Sequence, residues 1–334
     1  ISNFTFLKGA SHPEEYMNRA ALLGLPAIAI ADENSVAGIV RAHKQARKIK
    51  RLVLERKNAE TIGPPIPCEI KPPPSVNITN IPRLIPAAQL IFEEGIRLTA
   101  LPQNLCGWAN LCRLISKAKT QNTKKGCKLT INNFLKRHQD MKILIHPPHP
   151  FPWTTCIRDW LQNIKRLKQE LALQMHFLIV PVYDGEDQNR FEYLIKIANT
   201  LNLPVIASSF PIMHHGKRRR LADVLSAIRM GCRVEELGSS ALVNSENRLR
   251  SEEEMLRIFK NYPHAVEATQ ILAEELNFSL DELRYEYPSE VKDGEKPNQR
   301  LKRLAHAGLK WRYPDGAPQK ISKTLEHELN LIEK

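Results

Sequence analysis

Between residues 84 and 208, short apolar runs alternate with longer stretches whose apolar residues recur every three or four positions. Few folds accommodate that alternation. The runs fall at 84–92, 96–101, 142–146, 177–182 and 204–208, with helical stretches at 107–118, 132–136, 155–173 and 189–201. Strands separated by amphipathic helices make βαβ units and a mainly parallel sheet. The turn Glu93-Glu94-Gly95 joins the first two runs directly. A similar unit opens the chain. Pro13 sits in the first turn of a helix whose expected N-cap is Ser11. The apolar run 26–30 follows and ends at Asp32, and Ser35 can cap the next helix. An acidic residue at the C-terminal lip of a buried strand stands where α/β folds build their sites.

Two stretches break the rhythm. Residues 55–82 hold too many prolines for a helix or a central strand, and read as a partly disordered surface loop. From residue 217 onward, helical patterns at 221–230, 252–261, 263–276, 300–310 and 322–332 follow one another without a clear strand. Ser251-Glu252-Glu253-Glu254 starts one of them as a capping box. The expected division is therefore 1–216 and 217–334.

Charge narrows the partners. Lys and Arg number 49 against 36 acids, a net charge of +13, with dense runs at 41–57, 117–128 and 217–220. A polyanion fits that balance, with DNA or RNA first; the plainer reading of any single run is a solvated face. Six cysteines without a CxxC pair argue for reduced thiols, with no disulfide framework or zinc ribbon. No apolar run suits a bilayer span and no signal-peptide pattern is present, so a cytoplasmic protein is expected. Ile1 in place of an initiator Met, and a helical pattern that continues to the last residues, suggest a piece of a longer protein.

The motifs carry a resemblance. SNFTFLKGASHPEE (2–15) followed by AIADENSVAGIVRAH (29–43) resembles the N-terminal PHP (polymerase and histidinol phosphatase) domain of bacterial DnaE-type DNA polymerases. These are the DNA polymerase III alpha subunit, or C, family, and the similarity is to its error-prone branch. It continues in RLIPAAQLIFEEG (83–95), LPQNLCGWANLCRLISKAK (101–119), LADVLSAIRMGC (221–232), FSLDELRYEYP (278–288) and LKWRYPDGAP (309–318). The resemblance implies an α/β fold, a PHP-type distorted (β/α)7 barrel followed by a mainly helical segment that begins the polymerase catalytic core. It implies a parent DNA-directed DNA polymerase acting in replication, repair and translesion synthesis. Primer-template DNA and the remaining polymerase core in cis are the implied partners. A sliding clamp and translesion accessory proteins would bind through regions outside this chain. The palm signatures of such enzymes, Gly-Arg-Gly-Ser and Asp-x-Asp, are absent here. The palm magnesium is thus expected elsewhere in the parent, with no cofactor and no polymerisation in this chain alone. In this reading Arg41, Lys44, Lys48, Lys124, Lys125, Arg218, Arg219 and Arg220 are the candidates for DNA-backbone contacts.

The same resemblance can be followed through the metal site of active PHP domains, where clustered ions held by imidazole and carboxylate activate water. The second His of a His-x-His motif falls on Ile1, and an Asp-His pair falls on Asp32-Glu33. A Glu position holds Gln89, a His position holds Arg97, and a late Asp-x-His falls on Phe210 and Ile212. Asp32 alone is kept. A metal-depleted scaffold is the expectation, with Arg97 paired to Asp32 and Glu33. A rival reading has His146, His149, His214 and His215 line the barrel mouth, with His146 and His149 reaching a common ion with Asp32 and Glu33, giving a metal-dependent phosphoesterase or 3′–5′ exonuclease. The plainer reading makes HPPHPFPW a rigid loop with its histidines solvated or packed on Trp153. A third is an inert relic of a disrupted polymerase gene.

Overall fold

A computed structural model describes residues 1–62, 81–120, 127–148, 157–171, 174–285 and 294–333. In chain order the elements are α1 (Pro13–Leu22), β1 (Ala27–Glu33), α2 (Ala37–Ile62), β2 (Arg83–Ile91), β3 (Arg97–Pro102), α3 (Leu105–Thr120), α4 (Ile131–Leu135) and β4 (Met141–Ile145). There follow α5 (Ile157–Leu171), β5 (Met175–Ile179), α6 (Asp187–Thr200), β6 (Val205–Ala207), α7 (Arg219–Met230), α8 (Glu252–Ile258), α9 (Pro263–Glu275), α10 (Pro297–Arg312) and α11 (Gln319–Glu333). Helix α2 runs on through residues 55–62, which contain neither proline nor glycine. The expected loop therefore starts later, and its residues 63–80 lie outside the described ones. At α1 the cap is His12, not Ser11: Glu15 reaches back to accept a hydrogen bond from the His12 N–H at 2.8 Å.

The strands form one sheet in the order β1-β2-β3-β4-β5-β6. β1–β2, β4–β5 and β5–β6 are parallel, while β3 runs antiparallel to both neighbours. Glu93-Glu94-Gly95 is too short for a parallel crossover, so it must reverse the chain, and Gly95 supplies the positive φ of 75° that the reversal uses. All other strands point one way and gather their C-terminal ends at one mouth.

Alternation assigns the two faces. Ile28 and Ile30 pack outward against α1 and α2, and Leu90, Leu98, Ile143 and Phe177 against α3, α5 and α6. The inner face brings Ala31, Ile85, Leu101, Leu144, Leu178 and Ile206, one residue from each strand, to a single cavity also lined by Leu272 and Leu276. The sheet is thus curled into a half-barrel, with α9 on its concave side. Six strands stand among the described residues where seven were expected.

Helix α9 is tied to the sheet by more than apolar contact. The Arg83 guanidinium donates to the Ala273 and Leu276 carbonyls, Lys142 pairs with Glu275 at 2.6 Å, and the Thr269 hydroxyl donates to the Ala207 carbonyl at 2.8 Å. These ties hold α9 in one compact unit with the sheet. Ile1–Leu283 forms one compact unit and Arg284–Lys334 a second. In the second, Lys302 and His306 face Glu326 at 4.0 and 3.1 Å. Among the described residues no helix is long and apolar enough to cross a membrane.

Candidate functional site

The mouth of the half-barrel is built by strand register. Glu33 lies opposite Gln89, Gln89 opposite Thr99, and Thr99 opposite Leu144, so three polar residues stand in one row across β1, β2 and β3. One step further out, the His146 N–H donates to the Arg97 carbonyl at 3.1 Å, which sets these two side by side. Gln89 is buried and its Oε1 accepts no hydrogen bond from the described residues.

Asp32 breaks with its expected role. It continues the outward side of Ile28 and Ile30, away from the inner face, and is only 1% exposed. Its Oδ1 accepts from the Ser2 N–H at 2.6 Å and the Thr5 hydroxyl at 2.8 Å; its Oδ2 accepts from the Ser2 hydroxyl at 2.7 Å. The carboxylate is a pin for the N-terminal loop. Gly38 at the start of α2 completes the fit, because a Cβ there would stand 2.7 Å from Asp32 Oδ2.

Glu33 is also engaged. The Lys8 ammonium donates to both of its carboxylate oxygens at 2.7 Å. Arg97 is exposed and makes no ion pair among the described residues, so the expected Arg97 bridge to Asp32 and Glu33 is not formed. The reason is that Lys8 and the Ser2–Thr5 donors already satisfy those acids.

His146 is buried, shares a hydrogen bond with the Thr99 hydroxyl through Nε2 at 2.8 Å, and meets the Phe210 ring edge-on at 4.8 Å. Burial first, and the Arg97 guanidinium second, push its pKa down to about 3. It is a neutral core histidine at physiological pH. His214 is held elsewhere, by the Ser11 hydroxyl at 2.8 Å and Glu15 at 3.8 Å, and His215 accepts from the Lys217 N–H at 3.1 Å. His149 lies outside the described residues.

A metal cluster needs several deprotonated ligands converging with free lone pairs. Asp32 already accepts three hydrogen bonds, Glu33 is paired with a cation, and His146 is bound to Thr99. No three His, Cys, Asp or Glu side chains converge among the described residues. The described donors do not fit such a cluster: His214 and His215 neighbour each other at 6.4 Å between ring centroids, on partners other than those of His146.

The basic candidates separate in the same way. Arg41 is exposed and pairs with Glu14 at 2.5 Å, whereas Lys44 and Lys48 are exposed without an ion pair among the described residues. Arg218 pairs with Glu15. Arg219 donates to the Leu242 carbonyl at 2.6 Å and faces Asp223 at 3.5 Å, so both brace the fold. Arg220 is exposed, and Lys124 and Lys125 lie outside the described residues. Lys8, Ser2, Thr5 and Thr99 were not expected at the site. Counting back by two from the inward Leu101 would have found Thr99; nothing in the sequence marks the other three.

Residues 1–168 match the PHP domain family model. The chain belongs to the PHP domain family. Over 99% of its length it is 34% identical to an error-prone DNA polymerase of Ruegeria pomeroyi, covering 30% of that protein. It is also 34% identical, over its whole length, to an error-prone DNA polymerase of Mesorhizobium japonicum, and 33% identical over 99% to one of Sinorhizobium medicae; it covers 27% of each. The chain thus spans under a third of the length of these relatives. A Bifidobacterium adolescentis crystal structure described as a metal-dependent phosphoesterase aligns at 11% identity and a TM-score of 0.35, over 60% of this chain and 82% of that one.

Proposed function

We propose that this PHP chain is the N-terminal part of an error-prone DNA-directed DNA polymerase, and that its half-barrel is a metal-depleted scaffold for the polymerase core. The parent acts in translesion synthesis, repair and replication, in the cytoplasm, on primer-template DNA. Its nucleotidyl transfer uses magnesium in a palm outside these residues, and clamp and accessory proteins bind through other regions outside this chain. The engagement of Asp32 and Glu33, at the end of β1, by neighbouring donors carries the scaffold half of this reading. Residues that would otherwise hold ions instead fix the loop 1–10 and the strand ends. The similarity along the chain to proteins named error-prone DNA polymerase supports the other half.

Primer extension tests it. The parent protein should extend a primer past an abasic site with magnesium, and the 334-residue chain alone should extend nothing. A parent that extends no primer on any template overturns the reading.

A further inference from the structure

Helix α2 carries a cationic stripe that the mouth does not use. At about 100° per residue, Arg41, Lys44, Arg47, Lys48 and Arg51 fall within about 120° of one face. All five are exposed and line one open groove. From Arg41 to Arg51 the stripe is about 15 Å long, at ~1.5 Å per residue. Only its ends are neutralised: Arg41 by Glu14 at 2.5 Å, and Arg51 by Glu55 at 3.5 Å. The central Lys44, Arg47 and Lys48 make no ion pair among the described residues.

We infer that this face of α2 binds the phosphate backbone of nucleic acid without reading its sequence. A duplex strand presents a phosphate about every 3.4 Å along its axis, so some four phosphates match the stripe's length. The side chains are flexible cations with no buried hydrogen-bonding partner to fix a base edge, which suits backbone attraction rather than base readout. An acidic protein surface carries lower charge density, and a continuous stripe of five cations along one helix face favours the polyphosphate. The inference rests on the polymerase reading for its ligand and adds a DNA contact outside the palm.

Fluorescence anisotropy with the whole chain tests it, using a fluorescein-labelled 30-nucleotide single strand and its duplex over a salt series. The variant Lys44→Gln/Arg47→Gln/Lys48→Gln removes the unpaired centre. Arg158→Gln/Lys165→Gln/Lys196→Gln removes equal charge from exposed positions on α5 and α6. The stripe variant should lower the slope of log affinity against log salt by about 2 for the single strand and about 3 for the duplex. The control should leave most of the slope, and Lys44→Arg/Arg47→Lys/Lys48→Arg should restore it. Equal loss in both triple variants, no binding by the unaltered chain, or displacement of the DNA by polyglutamate at equal charge overturns the inference. Such a failure leaves primer extension by the parent unaffected, so the two readings fail separately.

Discussion

At the scale of residues, the end of β1 shows how a buried carboxylate can be held by its neighbours. Asp32 accepts three short hydrogen bonds in a buried setting, where bonds to a charged acceptor are each worth about 1.5–3 kcal/mol. Asp32→Asn would turn an amide N–H₂ toward one of those donors and remove the charge from the others. A loss of about 3 kcal/mol in urea unfolding is expected, with Ser2 and Thr5 released from the strand end. A variant as stable as the parent chain would show that the pin is idle. His146 makes the complementary point: burial keeps it neutral, and its hydrogen bond to Thr99 turns a potential ligand into packing.

At the scale of elements, α9 is the piece that makes the half-barrel stable. It lies about 60 residues beyond β6 in the chain, yet Leu272 and Leu276 cover the inner face of strands from both ends of the sheet. Cutting after residue 216 would leave Ile85, Leu101, Leu178 and Ile206 facing water. A chain of residues 1–283 should therefore unfold cooperatively in thermal melts, while 1–216 should show no cooperative transition. In the intact chain, Leu272→Ala should cost about 2–4 kcal/mol. Cooperative unfolding of 1–216 would return the boundary to where the sequence puts it.

The strands are legible in the sequence because each is a short apolar run set between amphipathic stretches. The expected run at 84–92 is β2 at Arg83–Ile91, and that at 142–146 is β4 at Met141–Ile145. What covers their inner face is not legible, since nothing local in residues 263–276 distinguishes a helix that plugs a sheet from one that begins a new domain. Asp32 is visible as a strand-end acid, but the face it takes depends on alternation that Ile28 and Ile30 fix only once the strand's ends are known. Arg47 and Arg51 belong to a charge run plain in the sequence; their alignment with Lys44 and Lys48 needs the helix to continue past residue 50.

At the scale of the whole molecule, the strand ends at β1 are held by hydrogen bonds and the Lys8–Glu33 ion pair, and among the described residues no three His, Cys, Asp or Glu side chains converge. Away from those strand ends, α2 exposes Lys44, Arg47 and Lys48 without an ion pair among the described residues. Metal content and phosphodiester hydrolysis decide between a scaffold and an enzyme. The purified chain would be incubated with zinc or manganese, desalted and analysed by mass spectrometry for bound metal. The same sample would be assayed on bis-p-nitrophenyl phosphate beside Asp32→Ala, Glu33→Ala and His146→Ala. No stoichiometric metal and no hydrolysis above background are expected. A stoichiometric ion, with hydrolysis that any of these substitutions abolishes, would contradict the account and make the mouth an active site.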